Sequence, residues 1–219
     1  MDDSRKHQDF RLEKSFLCDY ARMINGQDLP VEVMVSDYIK GKMPKDAGQD
    51  QWRAFHSSFA LKKTTAHGLA ATIYRGYSFC PVFSGRRLKK NFVKAWHVAL
   101  DFDTGDERSR LDSLARIEIV KDYASFIYTT PSHTEEHPKA RVVWILPDPV
   151  NDLEYYESLF KALLWKIPFA DQGVKDGLRL YYGSPKCQVW SGWHCLPCEI
   201  SEHLINEYRA SLPKRSEIE

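Results

Sequence analysis

The sequence predicts an α+β fold, a sheet flanked by helices, on three observations. Residues 95–103, AWHVALDFD, alternate with the two-residue period of a strand. Residues 152–166, DLEYYESLFKALLWK, place Leu153, Tyr156, Phe160 and Leu163 at helical spacing. From residue 95 onward the pattern runs strand, helix, strand, strand, helix.

Each element has its own signal. Residues 1 to about 60 read as mostly helical with polar loops, and 41–51, GKMPKDAGQDQ, as a loop because it is polar and carries Gly and Pro. Residues 64–76 read as a helix that Thr64 or Thr65 caps and Gly76 ends. In the strand 95–103, Trp96, Val98, Leu100 and Phe102 fall on one face, and His97, Ala99, Asp101 and Asp103 on the other. Residues 107–118 read as a helix with Leu111, Leu114 and Ala115 on one side. Residues 124–130, ASFIYTT, are β-branched and aromatic, hence a strand. A polar connection, 131–139, is kept extended by Pro131 and Pro138. The next strand, 140–147, stops at Pro147. Asn151 is the expected cap of helix 152–166, with Glu154 at capping-box distance, and Pro168 marks its end. Short strands near 178–182 and 194–200 complete the core, and 201–219 reads as a helix running into a charged tail.

Composition narrows the class. Hydrophobic residues are 43% and charged residues 28% of 219, as in ordinary globular proteins. No apolar run is long enough for a transmembrane helix, and the N-terminus lacks the apolar stretch of a signal peptide, so a cytoplasmic, intracellular protein is the default expectation. The five cysteines suit a reduced compartment better than a disulfide framework. Net charge is +1, but its distribution is uneven. The run 86–94 holds Arg86, Arg87, Lys89, Lys90 and Lys94 and no acid, while 101–107 holds four acids and no base. Such polarity is expected where metal and polyphosphate meet.

Four constellations carry chemistry. Asp101 and Asp103 sit at i and i+2 of a strand, so their side chains point the same way, about 7 Å apart along the backbone. Two carboxylates so placed repel unless a cation relieves them, and Mg²⁺ or Mn²⁺ prefers oxygen ligands. In 128–134, YTTPSHT, His133 lies in a polar loop where it could meet phosphate or move a proton, with Thr130 and Ser132 as further donors. Arg141 opens the following strand and suits bidentate phosphate binding. Residues 171–185 offer Asp171 as a third carboxylate, Lys175 and Arg179 as phosphate contacts, and Tyr181 and Tyr182 as stacking or packing rings. Cys187, His194, Cys195 and Cys198 include a C-x-x-C pair, but the other half is irregular, so structural zinc there is not expected.

Taken together, these motifs resemble the archaeo-eukaryotic primase (AEP) superfamily, the primase-polymerases, over about residues 64–200. The match is closest to the compact members of phages, plasmids and CRISPR-associated systems. The first family motif is an acidic pair on a strand, here Asp101 and Asp103. The second carries a histidine after a small hydroxyl residue, here within 130-TPSH-133. It is commonly Ser-any-His, whereas Pro131 occupies that serine position here, leaving Ser132 and Thr130 as alternatives. The third is a single acid followed by an Arg and a Gly, here Asp171, Arg179 and Gly183, with Asp176 as an alternative acid.

The resemblance implies a two-lobed catalytic core with an RRM-like mixed sheet flanked by helices. It divides the chain into a mainly helical segment, 1–60, packed on the core; a catalytic core, 61–200; and a C-terminal helix and charged tail, 201–219. The implied activity is DNA-directed nucleotidyl transfer, as a primase or DNA polymerase, with Mg²⁺ or Mn²⁺ on Asp101, Asp103 and Asp171. Ser132, His133, Arg141 and Arg179 would bind the nucleoside triphosphate. Arg86, Arg87, Lys89 and Lys90 would hold the DNA template or primer backbone. A helicase or other replication or CRISPR proteins are conceivable partners. A metal-dependent nuclease would use the same acids without triphosphates, and a non-catalytic replication-initiation module would use them only to solvate a turn.

Overall fold

The computed structural model describes residues 28–173 and 177–213. Cys18, Lys175, Asp176, residues 1–27 of the segment read as helical, and the charged tail from 214 onward lie outside them. The architecture is α+β: antiparallel sheets flanked by helices. One sheet has the order β2-β1-β3, with β1 Pro30–Ser36 paired to β2 Ala60–Thr65 and β3 Ser78–Cys80. The other has the order β4-β5-β7-β6-β8, formed by Val82–Phe83, Phe92–Phe102, Ala140–Val150, Phe126–Thr129 and Val189–Ser191 respectively. Every ladder between these strands is antiparallel; a lone parallel bridge joins Ile145 to Cys195.

The helices are α1 Gln49–Ser57, α2 Ala66–Tyr74, α3 Leu111–Leu114, α4 Glu118–Tyr123, α5 Leu153–Lys166 and α6 Cys198–Ser211. Thr65 caps α2, its hydroxyl accepting from the Gly68 N–H. Gly76 ends that segment at φ +89°, the left-handed region that favours glycine.

Two buried clusters cover the faces of the five-stranded sheet. On one face, Val98, Leu100, Phe102, Val142 and Trp144 pack with Leu159 and Leu163 of α5 and Leu204 and Ile205 of α6. On the other, Ala99, Phe126, Tyr128, Val143 and Ile145 pack with Val31 and Val33 of β1, Leu69 and Ile73 of α2, Phe79 and Tyr181. The second face carries the site.

Several sequence expectations need correction. Residues 30–36, within the segment read as helical, form the central strand β1; Val31, Val33 and Val35 are β-branched at alternate positions, which favours a pleated strand. The helix expected over 107–118 is broken into a 3₁₀ turn Glu107–Ser109, α3 and α4. Strand β7 passes Pro147 and reaches Val150, because pairing with β5 shifts between Ala95 and His97. Prolines at the shift forfeit no ladder hydrogen bond. The same shift reverses the parity of β5, so Trp96 packs with the cluster opposite the one that holds Val98. Asp152, not Asn151, caps α5, accepting from the N–H groups of Glu154 and Tyr155. The strand expected near 194–200 is mostly replaced by the start of α6, and 178–182 contributes only a bridge between Tyr181 and Phe79.

Candidate functional site

Strand register builds the centre of the site. Asp101 on β5 lies opposite Arg141 on β7, and Arg141 lies opposite Tyr128 on β6. A carboxylate, a guanidinium and a phenol therefore stand in one row across three strands. Arg141 Nε donates to Asp101 Oδ1 at 2.6 Å, and Arg141 Nη1 donates to the Tyr128 hydroxyl and, at 3.1 Å, to the Tyr182 carbonyl. The guanidinium also lies 4.7 Å from the centre of the buried Tyr181 ring. Tyr181 is held in turn by its hydroxyl, which donates to the Ala99 carbonyl at 2.7 Å.

The segment after α5 closes the row. The Asp171 N–H donates to the Asp101 carbonyl at 2.8 Å, anchoring that segment to the end of β5. Arg179 Nη2 donates to Asp101 Oδ2 at 2.6 Å and reaches Asp171 Oδ2 at 3.5 Å. Burial by itself would raise the Asp101 carboxyl; the charges and hydrogen bonds of Arg141 and Arg179 outweigh it and hold the group below the usual carboxylate range. Asp103, two residues on, is about half-exposed, and Lys139 Nζ sits 2.8 Å from its Oδ1.

These groups border one cleft of about 240 Å³. Asp101, Asp103, Asp171, Ser132, Arg141 and Arg179 all line it. So do Tyr182, offered by the sequence as a stacking or packing ring, and Lys42 and Lys139, which the sequence reading did not assign to the site. Lys139 follows from the register that pairs Asp101 with Arg141, which two residues further on places it opposite Asp103. Lys42 had no local signal. It reaches the cleft because the Gly41 N–H donates to the Gly76 carbonyl at 2.8 Å, folding the loop after β1 onto the end of α2.

His133 does not line the cleft. Its Nδ1 accepts from the Lys139 N–H at 3.1 Å, so it organises the loop that presents Ser132 and Lys139. Between the two hydroxyls left open, both Thr130 and Ser132 reach the cleft wall. The basic run stands apart from the lining. Arg86, Lys89 and Lys90 are exposed, but Lys89 pairs with Glu157 at 2.7 Å. Arg87 Nη1 donates to the Leu178 carbonyl at 2.8 Å, tying the run to the segment that carries Arg179. Tyr182 stacks on Phe55, with ring centres 6.0 Å apart.

The three carboxylates are all paired as they stand. Each faces a basic side chain, and among the described residues no group of three or more His, Cys, Asp or Glu side chains is placed to hold a metal. Cys187 is buried, its thiol pushed up to about 12 by burial, Cys195 is half-buried and Cys198 is exposed at the start of α6. Among the described residues, no helix is long and apolar enough to cross a membrane.

No protein-family model and no curated protein matches the chain. Among solved structures, the AEP domain of the cyanophage S-2L primase-polymerase is similar to it at 9% identity and a TM-score of 0.47, covering 88% of this chain and 98% of that one. At that level the likeness is one of outline, and the chemistry of the cleft is carried by its own residues.

Proposed function

We propose that this chain is a nucleotidyltransferase of primase-polymerase type, which joins nucleoside triphosphates to a primer or first nucleotide on a DNA template. One observation carries the reading: three motifs spread over some eighty residues of sequence, at 101–103, 130–141 and 171–179, supply the walls of one polar cleft.

The chemistry asks for charge more than for covalent help. A 3′-hydroxyl attacks the α-phosphorus, the new P–O bond forms, and the α–β bridging bond breaks to release pyrophosphate. Cations fixed around the triphosphate stabilise the charge that moves onto the leaving group. Arg179, Lys42 and Lys139 border the cleft and are suited to that role. Arg141 is suited less to touching phosphate than to positioning Asp101, since its Nε and Nη1 are already committed inside the fold. Ser132 offers a further hydroxyl donor to the cleft. Tyr182, stacked on Phe55, lines the cleft and is suited to contact a base or sugar. Arg86 and Lys90 are the members of the basic run left for a nucleic-acid backbone.

The test is a polymerisation assay with template, Mg²⁺ or Mn²⁺, and each class of labelled nucleotide, with and without primer. Product should form and should vanish in Asp103→Ala, whose carboxylate is exposed enough to remove without unfolding the chain. Polymerisation by that variant at the wild-type rate overturns the reading. Template cleavage without triphosphate would assign the cleft to a nuclease instead.

A further inference from the structure

We infer that Arg179 covers Asp101 until an anionic substrate draws it away, so that the cation site of this cleft is assembled by the triphosphate and is not resident in the free protein. The inference rests on the nucleotidyl-transfer reading and accounts for three carboxylates on one cleft that each face a basic side chain.

Asp101 has two oxygens, and each takes a different guanidinium at 2.6 Å. A divalent cation approaching either oxygen would meet two positive charges. The two arginines are not equivalent. The Arg141 side chain is 7% exposed and is tied to Tyr128 and the Tyr182 carbonyl as well as to Asp101. The Arg179 side chain is 25% exposed, borders the cleft, and among the described residues is held to carboxylates through Nη2 alone. That one nitrogen reaches both Asp101 Oδ2, at 2.6 Å, and Asp171 Oδ2, at 3.5 Å. Lys139 covers Asp103 in the same way, 2.8 Å from Oδ1.

A triphosphate offers Arg179 several anionic oxygens in a geometry that a guanidinium fork matches. Once Arg179 turns to them, Asp101 Oδ2 and Asp171 Oδ2 are both uncovered, beside phosphate oxygens that can complete a cation's shell. By linkage, the cation then favours triphosphate as much as triphosphate favours the cation. Arg141 stays on Oδ1 throughout, because its removal would strand a buried charge.

Mn²⁺ binding followed by electron paramagnetic resonance, with the full chain and no nucleotide, tests this. Wild type should bind Mn²⁺ weakly. Arg179→Ala should bind it about tenfold more tightly, within the range of such couplings. Lys42→Ala removes the same charge from the same cleft and uncovers no carboxylate, so its gain should stay below about threefold. Arg179→Gln should behave as Arg179→Ala, and a thermal melt of each variant guards against a gain that comes from unfolding. If Arg179→Ala and Arg179→Gln gain no more than Lys42→Ala, the cover is disproved. It is equally disproved if the gain survives adding Asp101→Asn to Arg179→Ala. Polymerisation lost or kept in Asp103→Ala speaks to the catalytic reading alone, so the two can fail separately.

Discussion

Asp101 and Arg141 face each other across β5 and β7, and each is the reason the other can be buried. The carboxylate accepts at 2.6 Å from a guanidinium whose remaining contacts are a phenol, a carbonyl and an aromatic ring. The pair is a structural element as much as a chemical one.

It follows that Arg141→Ala should destabilise the fold by about 3–5 kcal/mol, the usual result of stranding a buried partner. Asp103→Ala removes a half-exposed pair and should cost about 1 kcal/mol or less. Urea denaturation of the two variants measures the contrast. Equal midpoints would mean that Asp101 and Arg141 do not depend on each other.

His97 makes the stability sensitive to acid. It is fully buried between the rings of Phe79 and Tyr181, neither ring nitrogen has a hydrogen-bond partner among the described residues, and burial holds its pKa down to about 3. The folded value lies below the unfolded one of about 6.5. The neutral form therefore contributes its full stability above pH 6.5, and that contribution is lost as pH falls from 6.5 towards 3. The loss should reach roughly 4–5 kcal/mol at the lower end, an upper bound from linkage. Equilibrium unfolding of wild type and His97→Phe across this range should show a slope in the first that the second lacks.

The second motif should divide by position. Ser132→Ala, on the cleft, should raise the KM for triphosphate with little change in stability. His133→Ala should lower stability by about 1 kcal/mol through loss of its bond from the Lys139 N–H. His133→Asn, whose carbonyl oxygen can replace Nδ1 as acceptor, should restore both stability and kcat/KM. A His133→Asn variant as slow as His133→Ala would give the imidazole a chemical role.

The basic run should divide too. Arg86→Glu with Lys90→Glu should weaken DNA binding and reduce the salt dependence of log K by about 2, since two phosphate contacts are lost. Arg87→Ala should instead lower the melting temperature, because its guanidinium holds the Leu178 carbonyl. Fluorescence anisotropy over a salt series separates them.

Gly183→Ala should be severely destabilising. A Cβ there would lie 2.4 Å from backbone atoms of Gly76 and Tyr77, which have no side-chain freedom with which to give way. Chemical denaturation should show a loss of about 2 kcal/mol or more, and wild-type stability would mean that this close approach is not maintained.

Much of this was legible in one dimension. The alternation of 97–103 placed Asp101 on the face opposite Val98, Leu100 and Phe102, where it is found, because strand parity is a local property. The α5 spacing and the Thr65 cap were legible for the same reason. Parity failed at Trp96, since the register shift that reverses it is set by the partner strand. The helical reading of 30–36 overlooked three valines at alternate positions, a strand signal that was present.

By itself, the sequence determined the α+β class and the order of the three motifs, since both rest on local periodicity and on residue chemistry. Only the tertiary structure decided which charges meet. It put Arg141 and Arg179 on the same carboxylate, turned His133 from the cleft to the Lys139 N–H, and brought Lys42 in from a loop with no motif. Such pairings depend on strand register and on how distant segments pack against one another, and neither quantity is encoded within any one stretch of chain.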